Sequence, residues 1–466
     1  MAFLAGMMAV AALPQARPAN PIQVGPNVRV SSARPSAPHR EVVLAADPHN
    51  AKRLLACSMF SDAVPGVHST AYVSFDQGRT WQLGATAEDQ FADDPTCAYG
   101  PDGTAYFIAK TETLYPRKGS SNSDALFIRR SPDGGRTWLP VIHGPLANDR
   151  PFMAIDTGAD PFRGRLYVSF DRRIYSDQDT GQAGIKPLFA NATWFETSRD
   201  GGLHFDTVYI RALLDRDPRG RADAITAATV VLPDGAVAVL QSHGIMGGSN
   251  RTTHKPFSIA SSAHVFISRD GGLTFSSHVV PGLNETSYNS SAVRAVPGTM
   301  TADDSASPWR GRMYIAWTQM LAGRARVLFT SSSDSGRTWS SPVPLDDNQA
   351  HPGGGPDDFQ PAIAVNRKGV VGLLWYDRRD IAGDRGYYAR FRASLDGGQH
   401  WLPSVRIATA PNAPPAAGAH RRYFVNGGDT SGLAADADGT FHALWIDNRT
   451  GVEQVWTAAI KVAPSQ

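Results

Sequence analysis

The sequence is poor in net charge, in cysteine and in long apolar runs, and each scarcity excludes a class of protein. Lys and Arg total 45 against 43 Asp and Glu, and no basic run is present. Because affinity for phosphates depends on clustered positive charge, this balance argues against a nucleic-acid-binding protein. Charged residues make up only 19% of the 466-residue chain and hydrophobic residues 42%, which excludes disorder and favours a large buried core.

Cysteine occurs only twice, at Cys57 and Cys97. In an exported protein the two can form one disulfide, and otherwise they are two small buried apolar side chains. No Cys/His spacing typical of zinc accompanies them. The glycine run Gly353–Gly355 leads to Asp357 and Asp358 rather than to the Lys-Ser/Thr of a phosphate loop. We therefore expect no metal and no cofactor.

The only approach to a long apolar run is Ala2–Leu13, which is too short to cross a bilayer. It is typical of the apolar part of a secretion signal, and the small residues around Ala16 to Ala19 offer cleavage positions. We predict a signal over residues 1–20 and a single domain over residues 21–466. The expected protein is secreted, extracellular or periplasmic, monomeric and without a membrane span.

A short pattern, Ser-x-Asp-x-Gly-x-Thr-Trp, recurs six times with a few Phe and His replacements. The copies are Ser74–Trp81, Ser131–Trp138, Ser198–Phe205, Ser268–Phe275, Ser332–Trp339 and Ser394–Trp401. The Asp can accept hydrogen bonds from its own turn, the Gly supplies positive φ, and the aromatic residue anchors the turn between sheets. We interpret these Asp residues as structural, because an active site requires asymmetry and the pattern is the same in every copy.

This pattern resembles the Asp-box, or BNR repeat, of the sialidase-like superfamily of β-propellers, and the resemblance covers nearly the whole chain. It implies an all-β propeller built from four-stranded antiparallel blades. Such boxes also occur in other glycosidases, in sortilin-type receptors and in photosystem assembly factors, so they specify the fold rather than the activity. The structural carboxylates assigned in this way are Asp76, Asp133, Asp200, Asp270, Asp334 and Asp396.

The spacing of the boxes predicts the number of blades. Short alternating strands fill each interval, with turn signals such as Pro233-Asp234-Gly235 between them. The box aspartates span 320 residues in five intervals, from Asp76 to Asp396, an average of 64 per repeat. The predicted mature chain therefore holds about seven repeats, with six, typical of sialidases, as the alternative. The last repeat, from Ser431, lacks a fourth strand, and we predict that Val28–Ser32 supplies it and closes the ring.

In a propeller the first strand of each blade lines the axis. Residues that enter first strands or leave second strands therefore gather at one face, opposite the boxes, and here most of them are polar. One interpretation is a ligand site; the alternative is that Asp residues cap turns and pair with Arg to tie blades together. The candidates are Asp94 or Asp149 as general acid with a pKa raised by crowding, Arg40, Arg150 and Arg378 as anion ligands, Asp377 and Arg449 beside them, and Tyr376, ahead of Tyr423 and Tyr288, as nucleophile or stacking platform.

The resemblance implies three substrate-binding arginines, an Asp acid/base and a Tyr nucleophile assisted by Glu. This sequence departs from that pattern: Glu41 follows Arg40 where Ile-Pro is expected, and Thr430-Ser431 replaces a Tyr-Ser pair. Two hypotheses stay open. The first is a secreted exo-acting, sialidase-like glycosidase that removes a terminal sugar, preferably acidic, by two-carboxylate or Tyr-assisted chemistry. The second is a non-catalytic propeller that binds glycan or protein through the same opening. The two differ in geometry, because an enzyme needs an acid and a nucleophile or base about 5 to 10 Å apart and a binding protein does not.

Overall fold

The structure is a computed structural model. It describes residues 21–61, 66–87, 91–112, 125–147, 149–175, 188–210, 222–244, 262–283, 298–349, 355–381, 386–413 and 427–463. The predicted signal segment and the candidates Tyr288 and Tyr423 lie outside these residues. Within them no residue is helical, and no helix long and apolar enough to cross a membrane is found.

Alternating apolar residues and short turns produce 29 strands in the described residues. The first two are β1 (Ile22–Val24) and β2 (Val28–Arg29). Blades 1 and 2 contain β3 (His39–Ala46), β4 (Leu54–Ser61), β5 (Val67–Ser74), β6 (Gln82–Ala87), β7 (Phe91–Tyr99), β8 (Ala105–Glu112), β9 (Ala125–Ser131) and β10 (Ile142–Leu146). Blades 3 and 4 contain β11 (Asp149–Ile155), β12 (Leu166–Tyr175), β13 (Leu188–Ser198), β14 (Asp206–Tyr209), β15 (Ala222–Val231), β16 (Val237–Gly244), β17 (Ser262–Ser268) and β18 (Ser276–Val280).

The remaining strands complete the ring. Blades 5 and 6 contain β19 (Thr299–Ala302), β20 (Met313–Leu321), β21 (Arg324–Ser332), β22 (Val343–Pro344), β23 (Asp358–Val365), β24 (Val371–Asp377), β25 (Tyr388–Ser394) and β26 (Val405–Arg406). Blade 7 contains β27 (Gly432–Ala435), β28 (Phe441–Asp447) and β29 (Gln454–Val462). Within each blade neighbouring strands pair antiparallel, and a short parallel pairing of β13 with β15 joins blades 3 and 4. The prediction of a seven-bladed propeller is confirmed.

The N-terminal strands close the ring at blade 7. Its last strand β29 pairs with β28 on one edge and with β1 and β2 on the other, in the registers Ile22↔Val462 and Val28↔Thr457. The prediction of an N-terminal closing strand was therefore right, but its bounds, Val28–Ser32, differ from those observed: the closing segment consists of β1 (Ile22–Val24) and β2 (Val28–Arg29). Closure covers the sheet edge that a chain ending at β29 exposes.

Apolar side chains between neighbouring blades form the core. Blades 5, 6 and 7 each bury a Trp of their second strand completely, namely Trp317, Trp375 and Trp445. Burying a large apolar side chain stabilises a fold by about 1.5–3 kcal/mol. Cys57 and Cys97 belong to the same type of interblade cluster and are free thiols, which corresponds to the small-apolar alternative.

The six repeated turns hold their aspartates in one geometry. In the first turn, Ser74 Oγ donates to Asp76 Oδ1 (2.9 Å), and the N–H and hydroxyl of Thr80 donate to the same carboxylate (2.9 and 2.6 Å). The other five turns repeat the Ser–Asp bond at 2.7–2.9 Å. Each carboxylate is therefore engaged by its own turn.

The preceding blade holds several of these turns in place. Arg165, just before β12, donates to the Gly271 carbonyl of the next blade (2.8 Å), and Arg312, just before β20, donates to the Gly397 carbonyl (2.9 Å). Since the turns follow the third strands, they lie at the end of the ring opposite to the starts of the inner strands. This leaves the other end for the candidate site.

Candidate functional site

Four inner strands carry the same backbone distortion near their first residues. The pairing register shifts in β3, β7, β11 and β23, and the residue at each shift has positive φ: Glu41 (52°), Asp94 (46°), Arg150 (47°) and Gln360 (54°). Proline follows three of them. Positive φ is uncommon for residues other than glycine and costs about 1–3 kcal/mol where it occurs. Bulges of this kind re-aim side chains, and three of these four residues are charged.

Three carboxyl groups form a hydrogen-bonded chain at the mouth of the axial channel. Asp94, on the bulge of β7, is in the middle, with Glu41 of β3 on one side and Asp149 of β11 on the other. The Arg150 backbone N–H also donates to Asp94 Oδ2 (3.3 Å). Neighbouring inner strands of blades 1, 2 and 3 thus bring together groups that are more than one hundred residues apart in sequence.

Two cations and two further carboxylates surround this chain. Arg150 Nη2 lies 2.8 Å from Asp429 Oδ2, just before blade 7, and Lys110 Nζ lies 3.1 Å from Asp93 Oδ2. All four side chains are largely buried. The positive charges therefore face carboxylates of the protein itself.

The environment moves the carboxyl pKa values apart. Burial, followed by the charges of Asp94 and Asp429, raises the pKa of Glu41 well above its usual value. Burial alone would raise the pKa of Asp94 as well, but hydrogen bonds from Glu41 and Asp149 outweigh it and lower that pKa. Burial and Asp94 raise the pKa of Asp149 to about 6. Such a split separates acid and base roles in active sites.

A cavity of about 300 Å³ lies among the inner strands and adjoins these groups. This is close to the lower end of the range of about 300–1,000 Å³ for ligand pockets. Glu41, Asp94, Arg150 and Asp429 line it, whereas Asp149 lies beside Asp94 outside the cavity wall. Every blade also contributes an inner-strand residue to the wall: Val43, Cys97, Met153, Ala228, Met300, Ile363 and Leu433.

The charges on the wall are confined to one half of the ring. Blades 1, 2 and 3 and the segment before blade 7 supply them, while blades 4, 5 and 6 supply only Ala, Thr, Gly, Met, Pro and Ile among the described lining residues. No group of three or more His, Cys, Asp or Glu side chains in the described ranges has metal-site geometry. The asymmetry suits a bound molecule with one polar and one apolar face.

Of the predicted site residues, the structure brings Asp94, Asp149 and Arg150 together and places five others elsewhere. Tyr376 is completely buried, stacks on Tyr387 with ring centroids 4.0 Å apart, and accepts a hydrogen bond from the Ile446 N–H (3.3 Å). Burial also raises its pKa. Enclosed in this way, Tyr376 is out of reach of a substrate, which corrects the prediction of a nucleophile or stacking platform.

The predicted anion ligands Arg378 and Arg449 are engaged by contacts within the protein, Arg378 in blade 6 and Arg449 in blade 7. Arg378 is almost completely buried, with Nη1 3.2 Å from Asp357 Oδ2 and Nε donating to the Gly386 carbonyl (3.1 Å). Arg449 pairs with Asp447 and lies over the Trp456 ring. Neither lines the cavity among the described residues.

Asp377 and Arg40 are also occupied outside the cavity. Asp377 accepts hydrogen bonds from Trp375 Nε1 (3.0 Å) and Arg379 Nε (2.9 Å). Arg40 precedes the bulge of β3, so its neighbour Glu41 takes the inward position. The charge of Arg40 acts instead on Glu453, where it opposes the effect of burial on the pKa. The expected three-arginine clamp is therefore not assembled: Arg150 alone of the three reaches the cavity.

Sequence reasoning missed Glu41 and Asp429 as site residues. Both stood among the polar residues predicted to enter inner strands, but nothing singled them out. A usable signal was the recurrence of a polar residue followed by proline at Asp94-Pro95, Arg150-Pro151 and Gln360-Pro361. It marks the bulge that aims a side chain inward.

Comparisons with known proteins identify similar folds without identifying a family. No family model and no curated protein matches the chain. Similar solved structures include a protein of unknown function from Dyadobacter fermentans, with 13% identity and a TM-score of 0.48 over 91% of this chain and 99% of that one. An α-L-arabinofuranosidase from Fusarium graminearum bound to arabinobiose has 12% identity and a TM-score of 0.48, over 83% and 99%. A Trypanosoma rangeli sialidase has 11% identity and a TM-score of 0.40, over 91% and 55%. At these identities the similarity concerns the fold alone.

Proposed function

We propose that the protein is a glycoside hydrolase in which Glu41 is the general acid and Asp94 the ionised partner. The observation that carries the proposal is the contact of Glu41 with Asp94 on the wall of one cavity, where the raised pKa of Glu41 favours its protonated form and the lowered pKa of Asp94 favours its ionised form. Protonation of a leaving oxygen requires a protonated carboxyl, and activation of water or direct attack on the sugar requires an ionised one. Both side chains stand on strained bulges, a cost that is typical of functional sites.

Asp149 has a positioning role in this proposal. Below its pKa of about 6, the protonated Asp149 carboxyl donates a hydrogen bond to Asp94 and helps to hold that carboxylate ionised. Tyrosine-assisted chemistry of the sialidase type loses support because Tyr376 is enclosed, so two-carboxylate chemistry is the version that we propose.

The charges favour a neutral terminal sugar over the acidic sugar that three arginines predict. Arg150, the arginine on the cavity wall, is already paired with Asp429 at 2.8 Å. The opposite wall offers Met300, Ile363 and other apolar groups to the ring face of a sugar. A cavity of about 300 Å³ suits one terminal residue, which is consistent with exo action. Export remains part of the proposal and rests on the segment 1–20.

The experiment is a release assay on a mixed glycan panel, containing neutral and acidic terminal sugars, read by mass spectrometry. Wild type should release a neutral monosaccharide, and Glu41→Gln and Asp94→Asn should each abolish release. Asp133→Asn, a change in a repeated turn at the opposite end of the ring, is the matched control and should retain it. Release unaffected by Glu41→Gln contradicts the assignment of the acid.

The non-catalytic alternative has one observation in its favour. The carboxyl groups contact one another directly, whereas catalytic pairs in glycosidases are separated by about 5 to 10 Å. If a glycan array detects binding to wild type and the panel detects no release, the propeller is a binding module. Arg150→Ala should then weaken binding.

A further inference from the structure

A second cavity, of about 390 Å³, lies at the seam where blade 7 meets blade 1. Its walls come from the second and third strands of blade 7, from the first repeated turn, which belongs to blade 1, and from Pro26 and Val28 near the N-terminus. None of these residues lines the cavity at Glu41 and Asp94. This seam cavity is therefore a separate feature, at the place where the ring closes.

Short side chains keep the seam open. In blade 7, His442 of β28 lies opposite Ala459 of β29. The corresponding pair in blade 1 is Leu55 and Val73, because each pair lies two residues after the backbone bond that closes its hairpin. In blade 1 the valine fills the seam, since a Cβ at Gly135 of the next repeated turn would lie 2.6 Å from Val73 Cγ1. The alanine in blade 7 leaves room instead.

A buried aspartate–histidine pair forms part of the wall. His442 is 1% exposed, and its Nε2 lies 2.9 Å from Asp436 Oδ2. The other carboxylate oxygen, Oδ1, accepts from the N–H groups of Asp438 and Thr440 (2.9 and 3.0 Å). Because a carboxylate can only accept, Nε2 carries the proton of its bond. Gln77 Nε2 of the first turn donates to Asp438 Oδ2 (3.1 Å), which ties that turn to the same hairpin.

The second ring nitrogen of His442, Nδ1, is left to the cavity. It has no hydrogen-bond partner among the described residues. A Cβ at Gly78, another wall residue, would lie 3.5 Å from it, so Nδ1 is directed toward the first turn. In the neutral ring Nδ1 is an acceptor, and a buried acceptor without a donor costs free energy. A hydroxyl group of a bound molecule can supply the missing donor.

Two cations lie on the exposed side of the seam cavity. Arg79 of the first turn and Lys461 of β29 both line it, and neither has a hydrogen bond or an ion pair with any described residue. Asp436 is the single carboxylate among the described lining residues, and its own hairpin already engages it. Arg150, by contrast, is paired with Asp429. The seam cavity is thus the one of the two that offers free positive charge to a ligand.

Apolar groups separate the two polar ends of the cavity. Pro26, Val28 and Ala459 supply them. Ala459 and Lys461 lie on one face of β29, and the exposure of the side chains increases toward Lys461. Since Lys461 is two residues beyond Ala459, it lies about 7 Å along the strand from the position opposite His442. The hydroxyl acceptor and the cations are therefore held apart by a short apolar wall.

We propose that the seam cavity binds a small organic anion whose carboxylate and hydroxyl groups are separated by a short apolar chain. The carboxylate pairs with Arg79 and Lys461, and the hydroxyl donates to His442 Nδ1. The apolar chain lies against Ala459. Such a molecule contacts blade 7, the first turn and the N-terminal residues at once, so it also fastens the closure of the ring.

The test is a ligand-observed NMR titration of the full chain with ω-hydroxyhexanoate, a molecule of this class. Hexanoate and hexanediol are titrated beside it, because the first lacks the hydroxyl and the second lacks the carboxylate. Wild type should bind ω-hydroxyhexanoate with a Kd about fivefold or more below that of either relative, since each relative leaves one polar contact unmade. Equal affinity for all three would mean that the apolar chain alone drives binding, and it would overturn the proposal.

The exposed cations provide variants that should fold. Arg79→Gln and Lys461→Gln should each raise the Kd for ω-hydroxyhexanoate by about 3- to 10-fold and leave the Kd for hexanediol unchanged. Arg337→Gln, at the same position of the repeated turn in blade 5, is the matched control and should keep wild-type affinity. An unchanged Kd in the double variant of Arg79 and Lys461 contradicts the pairing of a carboxylate with these cations.

Two further variants fill the seam from different strands. Ala459→Val introduces the side chain that Val73 provides in blade 1, and it leaves the aspartate–histidine pair intact. His442→Tyr introduces the residue that blade 2 has at this position, Tyr106. Each should weaken binding of ω-hydroxyhexanoate by about tenfold or more, and either one suffices if the other folds poorly. Wild-type affinity in folded Ala459→Val, or no binding of ω-hydroxyhexanoate to wild type, overturns the proposal.

Discussion

Carboxylates gather at both ends of the ring, and their pKa values are shifted in opposite directions at the two ends. At one end, hydrogen bonds from the Thr338 hydroxyl and N–H lower the pKa of Asp334 to about 2, and the equivalent turns are alike. At the other end, burial and Asp94 raise the pKa of Asp149 to about 6. Repetition with each carboxylate satisfied by its own turn indicates structure, whereas burial and crowding of carboxyl groups in one half of the ring indicates function.

The largest expected effect is on catalysis. Glu41→Gln or Asp94→Asn should lower kcat/KM by about 10²- to 10⁴-fold, because each removes a proton-transfer group. Asp133→Asn at the opposite end should change kcat/KM less than about twofold, since its carboxylate serves its own turn. Steady-state kinetics on the released substrate measures both. Equal losses of kcat/KM in the variants at the two ends would contradict the distinction between functional and structural carboxylates.

The next effect separates the two arginines that sequence alone grouped together. Arg378→Ala should destabilise the fold by about 3–5 kcal/mol, because it leaves Asp357 buried without its cation. Arg150→Ala should instead lower affinity for the substrate and cost less stability, since its pair with Asp429 borders the cavity. Chemical denaturation and KM provide the two measurements. If Arg378→Ala lowers catalysis without loss of stability, Arg378 belongs to the site after all.

The smallest effects are on stability as pH changes, and they have opposite signs. Asp149 has a raised folded pKa, so its contribution is present below the unfolded pKa and is lost as pH rises through about 6. Asp149→Asn should therefore stabilise the protein above pH 6 by roughly 1–3 kcal/mol. Asp334 has a lowered pKa, so Asp334→Asn should destabilise at pH 7 by about 1 kcal/mol, a difference that disappears as pH falls through about 2. Denaturation at several pH values checks both signs.

The fold was largely predictable because each repeat contains local signals. The turns, their spacing and the unfinished last repeat together predict seven blades and an N-terminal closing strand. The strand β1 escaped prediction because three residues, Ile22–Val24, carry too little pattern. Local chemistry decides a turn, whereas ring closure depends on partners more than four hundred residues away.

The site was predictable only in part, for a reason of geometry. Strand alternation tells which residues face the axis until a bulge shifts the register by one, and then the inward and outward positions exchange. This exchange put Glu41 on the cavity wall and moved Arg40 off it. At the end of the second strand of blade 6, Tyr376 contacts blade 7 and Arg378 pairs with Asp357 of its own blade, which no local pattern reveals.

The most direct test of the account is the pKa of Asp149 in the folded protein. Titration by ¹³C NMR of Asp-labelled protein, with Asp149→Asn to assign the signal, should give a value near 6. Asp94→Asn should lower it, because the charge of Asp94 helps to raise it. A value near 4 in wild type, unchanged by Asp94→Asn, would contradict the claim that the mouth of the channel holds a coupled acid and base.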